Sequence, residues 1–184
     1  KAGLRLSKEV ENLLNLSRLE TGTLSLKKDW YDISELVHEV IAKLESLATD
    51  HAFEIAVSEQ TPLIKVDRVL LETVLNNIIH NAINYTPKGS TIQIKAVVDN
   101  DLLQIDIIDN GKGFNEQDKI KAFDLFYRGN NKQKGGTGLG LSIVKGFVTY
   151  QNGTIELQDA PGHGAHFIIK IPTETSYLKN LKNE

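Results

Sequence analysis

The sequence predicts an α+β domain, a two-layer α/β sandwich in which helices cover one face of a mixed sheet. Segments with apolar residues three and four positions apart alternate with segments in which every second residue is apolar. A short turn at 99–101 between two of the latter segments favours an antiparallel hairpin. With 184 residues, 40% of them apolar, the chain can form one domain with a core and a short appendage.

The appendage is an amphipathic helix at the N-terminus, predicted over residues 4–20 and ended by Gly22. A single helix cannot bury its own apolar stripe, so this one needs the rest of the chain or a second copy as its partner. We therefore divide the chain into an N-terminal helical part, residues 1–22, and a domain, residues 23–184.

The first half of the domain is predicted to contain three strands and two helices. Ser34 is expected to cap the first helix, and the second helix ends before Pro87. In chain order we expect a strand at 24–30, a helix at 35–48, strands at 52–57 and 63–66, and a helix at 67–85.

The second half contains a long irregular stretch between two groups of regular elements. In chain order we expect strands at 91–98 and 102–109, the irregular stretch at 114–137, a helix at 139–150, strands near 154–158 and 165–171, and a frayed helix after Pro172. So long a loop in a compact domain favours a functional lid hinged at glycines. Arg128, Lys132 and Lys134 would face developing phosphate charge there.

Composition excludes several classes of function. With 21 basic and 24 acidic residues the chain has no broad positive field, so we expect no nucleic-acid partner. The absence of cysteine excludes disulfides, thiolate zinc sites, iron–sulfur clusters and cysteine nucleophiles, and it is compatible with a reducing cytoplasm. No apolar run approaches the roughly 18 residues of a membrane span. Since the chain lacks an initiating Met and a signal peptide, we interpret it as part of a longer polypeptide.

Eleven of the 14 glycines lie between Gly111 and Gly164, and eight of these eleven form three clusters. In the first, Asp109 continues the inward parity of its strand, so its carboxylate needs a polar partner such as the amino group of adenine. Gly111 and Gly113 would let a flat ring approach the backbone. The alternative interpretation is an ordinary Asp-Asn-Gly turn.

The second cluster, residues 135–141, runs directly into a helix, where free amides and the helix dipole favour a di- or triphosphate. It contains Thr137, Gly138, Leu139 and Gly140. Neither a dinucleotide fingerprint nor a Walker sequence is present. The third cluster, residues 162–164, is predicted to be a tight bend that supports the second.

A row of asparagines follows one side of the helix at 67–85. Asn77, Asn81 and Asn84 fall within roughly 60° of one another. A solvated face would more naturally use Glu, Lys or Gln, because Asn is a mediocre helix former. An amide oxygen is a ligand suited to Mg²⁺, an ion that usually keeps several waters and bridges phosphates.

Together these motifs resemble the catalytic, ATP-binding half of bacterial sensor histidine kinases, which has the Bergerat fold. Residues 77–87 resemble the family's N box, 109–114 its G1 box, 123–128 its F box and 136–141 its G2 box. The resemblance implies that ATP and Mg²⁺ are bound, that Asp109 binds the adenine amino group, that Asn81 is a metal ligand and that Asn77 assists at the phosphates. It also implies that Asn77 and Asn81 are catalytic, with further ATP contacts from Tyr85, Gly111, Gly113, Phe126, Arg128, Thr137, Gly138, Leu139 and Gly140.

The N-terminal helix resembles the end of the second helix of that family's dimerisation hairpin. The partners implied are a hairpin with an acceptor His, from the same or a partner chain, and a response regulator. The parent is expected to be a homodimer, and this part can be monomeric in isolation. Residues 28–30, 66–67 and 85–90 are similar to the potassium-sensing subfamily. The resemblance places this part in the cytoplasm and its parent in the inner membrane.

The sequence also departs from the family. Many members carry Lys or Arg where this chain has Asn84, and His38-Glu39 lacks the residues that follow an acceptor His. We therefore expect ATP binding without autophosphorylation on His. Related gyrase-type ATPases have a water-activating Glu where Asn77 stands. Two alternatives remain: an anti-sigma-type Ser/Thr kinase and a nucleotide-sensing module of the same fold.

Overall fold

The structure is a computed structural model that describes residues 10, 13–15, 17–19, 21–129 and 137–177. The described residues between 10 and 19 are helical, as predicted for the N-terminal part. The helices, labelled in chain order from the domain's first, are α1 (Ile33–Leu44), α2 (Arg68–Tyr85), α3 (Glu116–Lys121) and α4 (Gly140–Tyr150). The strands are β1 (Lys28–Tyr31), β2 (Ala52–Val57), β3 (Leu63–Asp67), β4 (Thr91–Asp99), β5 (Leu102–Asp109), β6 (Thr154–Asp159), β7 (Ala165–Pro172) and β8 (Thr175–Ser176).

The main sheet is mixed, as predicted. Its five strands lie in the order β2-β4-β5-β7-β6, with β2 parallel to β4 and the other pairs antiparallel. The sequence did not indicate the small second sheet, in which β3 pairs antiparallel with β1 on one side and β8 on the other.

One hydrophobic core lies between the main sheet and helices α1, α2 and α4. The inward residues of β5 are Leu103, Ile105 and Ile107, and none is more than 1% exposed. The opposite face of the sheet carries polar pairs, such as His166 Nε2 and Asp106 Oδ1 at 2.7 Å. This alternation explains why strand periodicity could be recognised in the sequence.

The predicted bounds need four corrections. The helix predicted at 35–48 begins at Ile33, and Asp32 caps it by accepting from the Ser34 N–H at 2.8 Å. The strand predicted at 24–30 begins only at Lys28. The irregular stretch contains α3, which Asn115 caps. Where a frayed helix was expected, residues 175–176 form β8, and residues 178–184 lie outside the described part.

Candidate functional site

Helix α2 carries the predicted asparagines and is held at its start by Asp67. The buried Asp67 carboxylate accepts from the Leu70 N–H at 3.1 Å and, with its other oxygen, from the Lys27 N–H at 2.8 Å. It therefore caps the helix and also fixes the segment that enters the domain.

The three asparagines differ in their surroundings. Asn77 is buried, and its amide nitrogen donates to the Thr73 carbonyl at 2.9 Å. Its Oδ1 faces the start of α4, because a Cβ added to Gly140 would lie 3.2 Å from it. Asn81 lies one turn further along α2 and is half-buried, whereas Asn84 is exposed and donates to the His80 carbonyl at 2.8 Å.

Asp109 ends β5 with its carboxylate half-buried and on the predicted side of the strand. Oδ1 accepts from the Gly111 N–H at 2.9 Å and the Ala165 N–H at 3.1 Å. No described residue donates to Oδ2 or forms an ion pair with this carboxylate. Burial raises the pKa of Asp109 above its ordinary value, although the two backbone N–H groups act in the opposite direction.

Gly111 brings the end of β5 against the end of α2. A Cβ there would lie 2.9 Å from Asp109 Oδ1, 3.1 Å from Thr86 Cγ2 and 3.5 Å from the Tyr85 carbonyl oxygen. The structure thus brings Asp109, Gly111 and Tyr85 together. It also adds Thr86, whose Oγ1 donates to the Ala82 carbonyl and is 2.9 Å from His51 Nε2.

The third glycine cluster supports the first cluster and not the second, contrary to the prediction. Gly164 has φ +124°, and a Cβ there would lie 1.9 Å from the Asp109 carbonyl oxygen. Gly113 packs on the other side, where a Cβ would lie 2.9 Å from the Gly164 carbonyl oxygen. Antiparallel pairing of β5 with β7 places this bend beside Asp109.

The second cluster is described from Thr137 onward; Gly135 and Gly136 lie outside the described residues. Leu139 occupies the N-cap of α4 and makes no side-chain capping bond. No capping side chain therefore occupies the first backbone N–H groups of that helix. Gly138 has φ +76°, and a Cβ there would lie 2.6 Å from the Phe126 carbonyl carbon and 2.7 Å from the Tyr127 carbonyl oxygen.

The turn at 126–129 therefore packs backbone to backbone on the glycine turn. Phe126 and Arg128 are exposed, and Phe126 has the left-handed φ of +62°. Of the predicted lid cations, Lys132 and Lys134 lie outside the described residues. Sequence reasoning also missed Asp118, which accepts from the Tyr127 hydroxyl. The sequence signal that could have found Asp118 was Asn115, a favourable N-cap residue three positions before an acidic residue.

The fold and these residues define a class of protein: an α+β domain with an acid at the end of the central strand of a mixed sheet, a helix-start glycine turn and an amide-bearing helix. Residues 66–175 match the family of histidine kinase-, DNA gyrase B-, and HSP90-like ATPases, and the chain belongs to this family. It therefore carries an ATP-binding domain.

Named relatives and solved structures agree with this family assignment. The sensor protein KdpD of Escherichia coli is 35% identical over 174 residues, which are 94% of this chain and 19% of KdpD. The full-length ShkA structure in complex with AMPPNP has a TM-score of 0.85 and 25% identity, covering 95% of this chain and 37% of that one. The Acinetobacter baumannii histidine kinase AdeS has a TM-score of 0.78 and 28% identity over 92% of this chain and 79% of that one.

No helix among the described residues is long and apolar enough to cross a membrane.

Proposed function

We propose that this chain is the ATP-binding catalytic part of a two-component sensor histidine kinase of the KdpD type. It would transfer the γ-phosphoryl group of ATP to a His on a dimerisation hairpin. The observation that carries the proposal is the Asp109 carboxylate: one oxygen is held by two backbone N–H groups and no described residue donates to the other. A free acceptor beside a glycine backbone suits the adenine amino group.

Next to this acceptor, Tyr85, Thr86 and Gly111 would bound the purine. The phosphates would lie toward Thr137, Gly138, Leu139 and Gly140, where the start of α4 supplies backbone N–H donors and the positive end of the helix dipole. Phe126 and Tyr127 pack against Gly138, and Arg128, the next residue along the chain, would add positive charge. Gly113 acts indirectly, by packing against the bend that holds Asp109.

Asn81 is the proposed Mg²⁺ ligand, with Asn77 assisting at the phosphates. No group of three or more His, Asp or Glu side chains suitable for a metal occurs among the described residues. A Mg²⁺ ion there would rely on an amide oxygen, phosphate oxygens and water, which is how Mg²⁺ is usually held beside a nucleotide. The ion would neutralise charge on the transferring group. Asn77, an amide, cannot activate water as a carboxylate would, which favours transfer over hydrolysis.

The domain division at residues 22 and 23 is part of the proposal. Val10, Leu13 and Leu14 of the N-terminal helical part are about half exposed, at 49–53%. Such a stripe needs a helical partner, which a dimerisation hairpin of the same or a second chain would supply. We also propose a response regulator as a partner, a homodimeric parent and a cytoplasmic site of action below an inner-membrane sensor, as the resemblance to sensor histidine kinases implies.

The test is binding followed by transfer. Calorimetry should show that Mg²⁺ tightens ATP binding to the wild type, and that Asn81→Ala removes this tightening. Asn76→Ala is the matched control, since it removes the same side chain from the same helix outside the row. Equal Mg²⁺ dependence in Asn81→Ala and the wild type would contradict the metal assignment.

Transfer is tested by adding a separate hairpin that carries the acceptor His. An acid-labile, base-stable phosphoprotein would support the histidine kinase. An acid-stable product would favour a Ser/Thr kinase of the anti-sigma type, and ATP binding without any transfer would favour a nucleotide-sensing module.

A further inference from the structure

Phe126 is a conformational outlier that lies next to the proposed phosphate site. It has φ +62°, in the left-handed region, where a bulky aromatic residue is rare and strained. Its side chain is 62% exposed, so burial of the ring does not offset the strain. The turn must therefore be held by contacts of its neighbours.

Those contacts converge on Asp118 in α3. One oxygen of its carboxylate accepts from the Tyr127 hydroxyl, and the other accepts from Asn115 Nδ2 at 2.8 Å. Gly129 also packs on this carboxylate, since a Cβ there would lie 3.0–3.1 Å from its three atoms. Asp118 thus contacts the residue on each side of Arg128. Hydrogen bonds to an ionised carboxylate are among the stronger ones in proteins, and this one raises the pKa of Tyr127.

Helix α3 is itself anchored to the sheet. Lys119 Nζ lies 2.5 Å from Asp159 Oδ2 at the end of β6 and 2.7 Å from Glu116 Oε1. Asn115 caps the helix by accepting from the Asp118 N–H at 2.7 Å. The position of the Asp118 carboxylate is therefore set by the domain and not by the turn it contacts.

The turn at 126–129 also sets the position of Gly138. The backbone of Gly138 packs so closely on Phe126 and Tyr127 that even a methyl group would overlap them. A shift of Tyr127 would therefore displace Gly138 and, two residues later, the start of α4, which has no side-chain cap.

We propose that Asp118 is a positioning residue for the triphosphate: through Tyr127 and Gly129 it fixes the turn that carries Arg128 and holds the Gly138 turn against it. It contacts no nucleotide atom itself. The purine end, around Asp109 and Gly111, is held by separate contacts to Ala165 and Thr86 and is independent of Asp118. This inference rests on the proposed function, because it assumes that phosphates lie at the start of α4.

The test compares Asp118→Ala, Tyr127→Phe and the double variant with the wild type, using calorimetry for Mg-ATP and NMR titration for adenosine. We expect each single variant to weaken ATP about tenfold, as loss of one charge-assisted hydrogen bond implies. Adenosine affinity should be unchanged. The double variant should bind ATP no more weakly than Asp118→Ala alone, because Tyr127→Phe removes a bond that Asp118→Ala has already removed.

Two further variants separate positioning from general stability. Asp118→Asn keeps an acceptor for the Tyr127 hydroxyl but loses the one for Asn115 Nδ2, so it should retain more ATP affinity than Asp118→Ala. Gln117→Ala, exposed on the same helix, is the matched control. Equal losses for ATP and adenosine, or wild-type ATP affinity in Asp118→Ala, would overturn the inference. A wild type that binds neither ATP nor adenosine would instead refute the proposed function.

Discussion

Replacing Asp109 with Asn should separate nucleotide binding from the stability of the fold. The variant keeps Oδ1, which can still accept from the Gly111 and Ala165 N–H groups. It replaces Oδ2, to which no described residue donates, by an NH₂ group. That group is a donor, so it would face the adenine amino group donor to donor. Asp109→Asn should therefore fold normally and bind ATP poorly.

The size of the loss follows from the bond removed. A hydrogen bond to a charged acceptor contributes about 1.5–3 kcal/mol, which corresponds to a roughly 10- to 150-fold weaker Kd. Calorimetric titration of Mg-ATP gives this ratio directly, and inosine triphosphate, which lacks the amino group, is the matched ligand. An Asn variant that binds ATP as tightly as the wild type, or a wild type that does not discriminate between the two nucleotides, would refute the adenine assignment.

Asp109→Asn, which weakens ATP binding, should make the fold more stable relative to the wild type as pH rises. Because burial raises the native pKa of Asp109, the unfolded chain releases this proton at lower pH than the native one. The wild type therefore loses stability relative to Asp109→Asn as pH rises from about 3.9, the unfolded value, to the raised native pKa. The slope has an upper limit of about 1.36 kcal/mol per pH unit and is smaller here, since the carboxylate is partly exposed. Urea unfolding from pH 3 to 8 measures the difference, and a wild type that gains relative stability over this window would contradict the sign.

Three changes in the surroundings of the site are expected to act on folding. Gly164→Ala should lower the free energy of unfolding by about 3 kcal/mol or more, because its Cβ would overlap the Asp109 carbonyl oxygen. Gly162→Ala, also at positive φ but with nothing within 4 Å of its Cβ, should cost only about 1 kcal/mol, and equal effects in urea unfolding would refute the steric argument. Thr86→Val should lower the free energy of unfolding by about 1–3 kcal/mol, because it leaves His51 Nε2 without its acceptor. Thr86→Ser keeps the hydroxyl and should unfold at the same urea concentration as the wild type.

The regular elements of the core were predictable because their periodicity records burial. In β5 every second residue faces the helices, and the hairpin predicted at 91–98 and 102–109 matches Thr91–Asp99 and Leu102–Asp109. Helix α2 likewise begins and ends within a residue of the prediction. Where one face of an element is buried, the local sequence carries enough information to place it.

Boundaries that depend on long-range pairing were not predictable. Asp32 and Ser34 are both good caps, and the choice falls on Asp32 because β1 pairs with β3 as far as Tyr31, so the helix starts directly after it. The two residues of β8 have no apolar alternation. They form a strand because Thr173 first bonds to both the N–H and the carbonyl of Lys65, which brings the chain alongside β3.

The same limit applies to the candidate site. The sequence showed that Asp109 points inward and needs a partner, but it could not show which of its oxygens is already used. That depends on the register of β5 and β7, in which Ile108 pairs with His166 and the bend at Gly164 lies against Asp109. Ala165, 56 positions along the chain, then donates to Oδ1 together with Gly111. The direction of the remaining acceptor, and with it the preference for an amino group on the purine, is therefore a property of the sheet and not of the Asp-Asn-Gly motif alone.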